Sequence, residues 1–154
     1  MTGAVVLGAS LAVAAVLGLL HRRNDGRLKT ARRVAHLNPT AGRDAGDGRE
    51  DLRPLLKTAG QRTGQRATLV QFSSAFCAPC RATRQILGDV AAAVEGVTHV
   101  EIDAESNLEL VRRLGIRKTP TTLVLDAQGK EVARASGQPK KADVLTALEQ
   151  AVPS

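Results

Sequence analysis

The chain has 154 residues, enough for one domain of ordinary size and a short extension. Hydrophobic residues make up 43% and charged residues 24%, so a packed core is feasible, although an aromatic fraction of 1% means that it must be mainly aliphatic. The net charge of +7 belongs to residues 21–66, because residues 67–154 carry ten basic and ten acidic side chains. A nucleic-acid-binding domain would carry its basic side chains on the folded part, often with aromatic residues for stacking, so no nucleic-acid partner is expected.

The first segment, residues 2–20, has no charged side chain and is largely apolar. About 20 helical residues, each rising 1.5 Å, match a hydrocarbon core of roughly 30 Å. A secretory signal peptide would begin with basic residues, yet only Met1 and Thr2 precede the apolar run. A buried core helix would have a polar face, and only Ser10 interrupts this one. The segment therefore predicts a transmembrane anchor, with the signal peptide and the core helix as alternatives.

Residues 21–48 are interpreted as a basic juxtamembrane segment and linker. Six basic side chains follow the predicted anchor within 13 residues: Arg22, Arg23, Arg27, Lys29, Arg32 and Arg33. Asp25 is the one acid among them, and such clusters stay on the cytoplasmic side because moving them across a bilayer is costly. The pattern predicts a single-pass protein of the cell membrane with its C-terminal domain in the cytoplasm. The cluster itself is read as a stop-transfer flank, not as a site for anionic lipids.

Residues 34–48 are rich in Gly, Asp and Asn, which favour turns, and they predict a linker. The folded domain is expected to cover residues 49–154. It begins with a predicted short helix over residues 49–60, with Gly60 just past its end. Pro54 fits this helix only in the first turn, where its missing N–H group is not needed.

From residue 67 onward, compact apolar runs alternate with apolar residues at helical spacing. The predicted strands cover residues 67–73, 97–102, 121–125 and 131–135, and the predicted helices cover residues 77–95, 105–114 and 142–152. Residues 126–129, Asp-Ala-Gln-Gly, predict a hairpin turn. The order βαβα followed by ββα predicts an α/β domain with a central mixed β-sheet flanked by helices.

The Cys77-Ala78-Pro79-Cys80 motif lies between the predicted strand over 67–73 and the start of a helix. Free N–H groups and the helix dipole at a helix N-terminus stabilise a thiolate, and Pro79 suits the first helical turn. The two intervening residues let the sulfurs reach bonding distance, with Cys77 more exposed and Cys80 packed behind it. We expect Cys77 to attack a substrate disulfide and Cys80 to resolve the mixed disulfide. The presence of only two cysteines excludes a scaffold of several disulfides.

Residues 51–152 resemble the thioredoxin family in the stretches LVQFSSAFCAPCR, VEIDAES and LGIRKTPTTLVLDAQGKEV and in the terminal helix. The resemblance implies a thioredoxin-like fold and a protein-disulfide reductase that needs no cofactor. Its implied partners are protein disulfides and a thiol reductant or reductase that the sequence does not identify. In this family a cis-proline faces the C-x-x-C motif and helps hold the substrate chain. The match places that proline at Pro120, after Thr119, and implies substrate contacts by Phe76, Pro79, Thr119 and Pro120.

The chain departs from the family pattern at several positions. Phe76 replaces the tryptophan before the first cysteine and retains an apolar shield, whereas Ser73 replaces a second, bulkier tryptophan. Gln71 stands where the family usually has a buried aspartate that assists proton transfer, and glutamine does not ionise. His99 aligns with the family's nearby lysine, so a Gln71–His99 pair is the candidate proton relay. The alternative is that His99 is simply a polar strand residue.

Two other functions are consistent with the residues. The missing aspartate and tryptophan would suit a tethered interaction module with little turnover, although such a module would have no need for both cysteines and Pro120. A structural zinc site usually takes four ligands, and one C-x-x-C motif supplies two, so no metal is expected. The direction of electron flow depends on the compartment that the domain faces. The predicted cytoplasmic location favours disulfide reduction, whereas an outward-facing domain would reduce or mature extracytoplasmic proteins.

Overall fold

A central five-stranded sheet organises the computed structural model, which describes residue 6 and residues 10–19, 27–30 and 50–152. The strands are β1 (Lys29–Thr30), β2 (Ala67–Ser73), β3 (Val97–Asp103), β4 (Thr121–Asp126) and β5 (Glu131–Ser136). The helices of the domain are α1 (Arg53–Thr58), α2 (Ala78–Ala93), α3 (Leu108–Arg113) and α4 (Lys141–Ala151). The sheet order is β1-β5-β4-β2-β3; β2 and β3 run parallel and the other neighbours antiparallel. The predicted mixed sheet flanked by helices is confirmed.

Two apolar cores lie on opposite faces of the sheet. Strand β2 contributes to both, because its seven residues are all buried and alternate between the faces. Leu69 faces α2 and α4, whereas Val70 and Phe72 face α1 and α3. Phe72 is fully buried, which contributes roughly 1.5–3 kcal/mol of transfer free energy. The core is mainly aliphatic, as the composition predicted, and Phe72 is its one aromatic side chain among the described residues.

Two helices are shorter than predicted, for a local reason in each case. Helix α1 begins at Arg53, because the Asp51 carboxylate accepts the Arg53 backbone N–H at 2.9 Å and holds the preceding residues in a turn. Pro54 falls in the first turn of this helix, as required. Helix α3 begins only at Leu108, since the Asp103 carboxylate accepts hydrogen bonds from the residues that follow β3. Short polar side chains often compete with the helix for backbone donors in this way.

Strand β1 lies within the segment predicted as juxtamembrane, and it pairs with β5 at the sheet edge. The register aligns Lys29 with Arg134 and Thr30 with Ala133. Because β1 is antiparallel to β5, and β5 runs in the same direction as β2, the chain enters the sheet at the end where β2 finishes. The end of the sheet that β1 reaches first is thus the end that carries the C-x-x-C motif.

The predicted anchor, residues 2–20, is only partly covered by the described residues, and the predicted linker, residues 34–48, lies outside them. Residues 10–19 are helical. Among the residues that the structure describes, no helix has both the length and the apolar character needed to cross a bilayer.

Gly129 in the β4–β5 turn provides a test of the contact between this turn and the start of α1. Its φ is +76°, its carbonyl accepts the Leu52 N–H at 2.9 Å, and a Cβ there would lie 2.3 Å from Asp51 Oδ1. The left-handed conformation alone costs a non-glycine residue about 1–2 kcal/mol, so we expect Gly129→Ala to lower the free energy of unfolding by at least that amount. Denaturant unfolding followed by circular dichroism measures the change.

The matched control is Gly88→Ala in the middle of α2, where, apart from the two neighbouring residues and the helix's own backbone, no atom of the described residues lies within 4 Å of the added Cβ. This change should raise the free energy of unfolding by about 0.5–1 kcal/mol, because alanine is the better helix former. Equal effects of the two substitutions would contradict the contact described for Gly129.

Candidate active site at the start of helix α2

The C-x-x-C motif forms the first turn of α2, directly after the buried strand β2. Cys77 is the N-cap residue, and its sulfur accepts a hydrogen bond from the Cys80 backbone N–H at 3.2 Å. Pro79 lies in the first turn, where no intrahelical N–H donor is required. The sulfur of Cys77 therefore lies where free backbone donors and the positive end of the helix dipole stabilise negative charge.

The two cysteines are joined by a disulfide and differ sharply in exposure. Their sulfurs are 2.01 Å apart and their Cα atoms 5.2 Å apart. Cys77 is partly exposed, whereas Cys80 is 2% exposed and packs behind it. The sulfur that an incoming partner reaches is thus that of Cys77.

The peptide bond between Thr119 and Pro120 is cis, as the family resemblance implied. The Thr119 hydroxyl hydrogen-bonds the Ser74 hydroxyl at 3.0 Å, and the Pro120 carbonyl accepts the Gly137 N–H at 2.7 Å. These two bonds join three loops at one end of the sheet. Sequence reasoning missed Ser74, because a serine in a loop gives no signal of a partner 45 residues away.

Phe76 and Pro79 form an exposed apolar surface beside the redox pair. Phe76 is 100% exposed and Pro79 is also exposed. The phenyl ring therefore lies on the outside of the motif with its whole surface available to a partner. An isolated aromatic side chain in this position suits contact with a substrate chain better than packing within the domain.

Gln71 is fully buried beneath the motif and contacts it directly. Its amide Nε2 donates to the Cys80 carbonyl at 2.9 Å. The sheet register places Thr122 of β4 beside it, on the same face. Among the described residues, neither Gln71 Oε1 nor Thr122 Oγ1 has a hydrogen-bond partner, and burying such groups unpaired costs free energy. Thr122 was not predicted, because its proximity depends on the pairing of β2 with β4.

His99 lies one strand away, in β3, and is not hydrogen-bonded to Gln71 among the described residues. Its Nε2 is also buried without a partner in this part of the chain. Burial lowers the pKa of His99 from its ordinary value of 6.5, a carboxylate at Glu101 opposes this shift, and the guanidinium of Arg84 adds to it. The imidazole is consequently neutral at pH 7.

Glu101 and Arg84 form a two-pronged ion pair beside His99. The Arg84 Nε and Nη2 atoms lie 2.6 and 2.7 Å from the two carboxylate oxygens. Partial burial alone would raise the pKa of Glu101, but hydrogen bonds from Arg84 and Ser73 and nearby positive charge lower it overall. No sequence signal linked Arg84 to Glu101, since the parallel register of β2 and β3 and the position of α2 bring them together.

His99 gives the domain a testable pH dependence. Because its pKa is lower in the folded chain than in the unfolded chain, the unfolded chain binds an extra proton between the two values. This contribution to stability is present above about pH 6.5 and decreases as the pH falls toward the folded pKa. We expect His99→Gln to flatten the loss of unfolding free energy between about pH 7 and pH 5, measured by denaturant titration. An identical slope in the variant and the parent would contradict this assignment.

The part of the chain that the structure describes contains no group of three or more His, Cys, Asp or Glu side chains placed to hold a metal ion.

Comparisons with known proteins point to one family. The profile of the thioredoxin-like domain matches residues 55–152. The thioredoxin of Mycobacterium tuberculosis is 29% identical over 93 residues, which are 60% of this chain and 79% of that protein. The thioredoxin of Alicyclobacillus acidocaldarius is 36% identical over 80 residues, covering 51% of this chain and 75% of that protein.

Two further comparisons agree with this assignment. Human thioredoxin domain-containing protein 2 is 36% identical over 73 residues, although this match spans only 12% of that protein. The solved structure of thioredoxin NaTrxh from Nicotiana alata superposes with a TM-score of 0.54 at 25% identity, covering 68% of this chain and 89% of that chain. With a paired Cys77 and Cys80 at the start of α2 and a cis bond before Pro120, the chain belongs to the thioredoxin family of thiol–disulfide oxidoreductases.

Proposed function

We propose that this protein reduces protein disulfides in the cytoplasm while its N-terminal segment tethers it to the cell membrane. The observation that supports the chemistry is the disulfide between a partly exposed Cys77 at a helix N-terminus and a buried Cys80. Reduction is the favoured direction because the cytoplasm keeps thiols reduced.

In the proposed reaction the reduced enzyme passes two electrons to its substrate. The Cys77 thiolate attacks one sulfur of the substrate disulfide, the substrate S–S bond breaks, and the departing substrate thiolate takes up a proton. Cys80 then loses its proton and attacks Cys77 Sγ, which releases the second substrate thiol and closes the Cys77–Cys80 disulfide. A thiol or dithiol reductant returns the pair to the reduced state. Phe76, Pro79, Thr119 and Pro120 form the surface against which the substrate chain is held.

The second step needs an acceptor for the Cys80 proton, and Gln71 cannot ionise. Its Nε2 already donates to the Cys80 carbonyl, which leaves Oε1 to orient a water molecule. His99, neutral at pH 7, is the proposed acceptor, reached through such a bridge. The His99→Gln variant also tests this role: the parent's rate should fall on the acid side of a pKa below 6.5, and the variant should lack that limb. An unchanged pH–rate profile would exclude the relay.

Substitution of the cysteines tests the reaction itself. We expect Cys80→Ser to accumulate mixed disulfides with cell proteins through Cys77, because the resolving thiol is missing, while insulin reduction falls to the background rate. Gel electrophoresis without and with reductant detects the adducts. The matched control is the double substitution Cys77→Ser and Cys80→Ser, which should trap nothing. Absence of adducts, together with no insulin reduction by the parent, would instead favour an interaction module.

The membrane tether is supported by the N-terminal residues that the structure describes. The exposed apolar residues of this segment are at least 57% exposed and are Val6, Leu11, Val13, Val16, Leu17 and Leu19. At 3.6 residues per turn these positions cover about two thirds of the helix circumference, and the remaining sector holds Ser10, Ala14 and Gly18, so the described helix has no charged face. An apolar helix of this kind suits a lipid environment, and residues 2–20 contain no charge that would oppose insertion.

Such a tether would keep the redox pair near the bilayer. Only eight residue steps separate Leu19 from Arg27, and an extended chain of that length spans no more than about 29 Å. The chain then enters β1 at the C-x-x-C end of the sheet. The proposed protein therefore works on disulfides close to the membrane surface.

A fractionation experiment with a topology reporter tests the tether. We expect the full chain to remain in the membrane fraction after an alkaline carbonate wash and a reporter fused after Ser154 to be active only in the cytoplasm. Leu11→Lys combined with Val16→Lys should release it, since each charge costs about 2.5–3.5 kcal/mol near the bilayer centre. Lys substitutions at the exposed Arg62 and Arg66 of the domain are the matched control and should change nothing. A reporter active only outside the cell would contradict the cytoplasmic assignment.

A further inference from the structure

Three loops border the redox pair, and every charged side chain on them is basic. With the first residues of α2 and α4 that continue them, these loops cover residues 74–81, 115–120 and 137–141. Their charged residues, all exposed, are Arg81, Arg117, Lys118, Lys140 and Lys141; we call this set the basic rim. Residues 67–154 as a whole carry no net charge, so the basic rim reflects where the charges are placed and not the composition of the domain.

Hydrogen bonds hold the three loops together as one surface. The Ser74 hydroxyl before the motif contacts the Thr119 hydroxyl at 3.0 Å, and the Gly137 N–H donates to the Pro120 carbonyl at 2.7 Å. The backbone segments that carry the rim residues are thus held at the same end of the sheet as Cys77. A substrate chain held against Thr119 and Pro120 passes among them.

Three members of the basic rim differ in pairing from four arginines elsewhere in the domain. Arg53, Arg84, Arg113 and Arg134 each form an ion pair with a carboxylate. In contrast, Arg117, Lys140 and Lys141 have no carboxylate partner among the residues described. Their charge is therefore available to a binding partner, because no internal ion pair offsets it.

Two exposed acidic side chains at this end of the sheet lie on the other side of the motif: Asp103 is the last residue of β3, the edge strand next to β2, and Glu105 follows it. On the side of the basic rim, the half-buried Asp143 in the first turn of α4 offsets part of the positive charge but leaves it in excess. A partner therefore meets positive charge on the β4–β5 side of Cys77 and negative charge on the β3 side. A uniformly anionic bilayer would be repelled by Asp103 and Glu105, whereas a short protein segment can place its acidic residues on one side only. This asymmetry favours a protein partner over lipid.

We propose that the preferred substrate is a protein segment with acidic residues flanking its disulfide, bound with its carboxylates against the basic rim and with apolar contact to Phe76. This inference rests on the proposed exchange of Cys77 with protein disulfides and adds the charge of the substrate. Complementary charge mainly raises the association rate and excludes partners of like charge. The preference decreases as salt is added, because the Debye length is only about 8 Å at physiological ionic strength.

The test compares three disulfide-linked peptides that differ only in the residues flanking the cysteines: Glu, Gln or Lys. The full chain, kept in neutral detergent micelles with a dithiol reductant that recycles it, is mixed with each peptide, and kcat/KM is obtained from the reduced peptide formed in excess of the reaction without protein, separated by chromatography. We expect the Glu peptide to exceed the Gln peptide by about tenfold at low salt and the Lys peptide to be the slowest. The ratio should approach one at high salt.

The variant is the triple substitution Arg117→Glu, Lys140→Glu and Lys141→Glu. With this variant the Lys peptide should be reduced faster than the Glu peptide. The variant is expected to fold, because acidic residues at positions 140 and 141 interact favourably with the N-terminus of α4. The matched control reverses three exposed basic residues at the opposite end of the sheet, Arg62, Arg66 and Lys130, and should keep the parent's preference. Equal kcat/KM for the three peptides with the parent, or the same ratio in parent and triple variant, would overturn the inference while leaving disulfide reduction intact.

Two other outcomes would also overturn it. If the parent reduces none of the peptides, the proposed function fails, and the substrate preference with it. In the second outcome, the parent has the same kcat/KM for all three peptides, and an anionic lipid added to the micelles slows reduction of the Gln peptide by the parent but not by the triple variant. The basic rim would then bind lipid headgroups.

Discussion

The junction between β2 and α2 is the constraint on which the site depends. All seven residues of β2 are buried, with cores on both faces of the sheet, so the strand cannot shift without exposing Leu69 on one face or Phe72 on the other. The chain leaves this fixed strand at Ser73 and reaches Cys77 four residues later as the N-cap of α2. The reactive sulfur is therefore placed by the core, although it lies at the surface.

The polar groups beneath the motif are arranged differently from what the family pattern suggests. An ionisable side chain at the position of Gln71 would exchange a proton, whereas glutamine supplies one donor to the Cys80 carbonyl and one unpaired acceptor. Thr122 Oγ1 and His99 Nε2 are buried and also unpaired among the described residues. Three such groups on one face of the sheet are costly to stability, and Gln71 contacts Cys80 directly, which suits a role of this polar set in the chemistry of the redox pair.

The placement of charged side chains around the redox pair is a second feature of the site, and the overall composition does not reveal it. The domain is neutral over residues 67–154, yet at the end of the sheet that carries the redox pair basic side chains predominate on the β4–β5 side and acidic ones on the β3 side. The N-terminal chain also enters the sheet at this same end, through β1. The N-terminal chain, the redox pair and the basic rim are thus brought to one end of the domain by the direction of the strands.

Patterns along the chain were sufficient to predict the mixed α/β fold, the positions of most strands and helices, and the redox pair. These features are local: apolar periodicity marks each element, and the spacing and helix-start position of Cys77 and Cys80 are visible along the chain. These patterns misplaced the starts of α1 and α3, because the Asp51 and Asp103 carboxylates bind nearby backbone donors in place of the helix. The folded chain was needed to identify the partners of Ser74, Gln71 and Glu101, the position of Thr122 beside Gln71, and the charge asymmetry around Cys77. Those contacts join residues on different strands and loops, and they follow from strand register and sheet order, which no local pattern in the chain encodes.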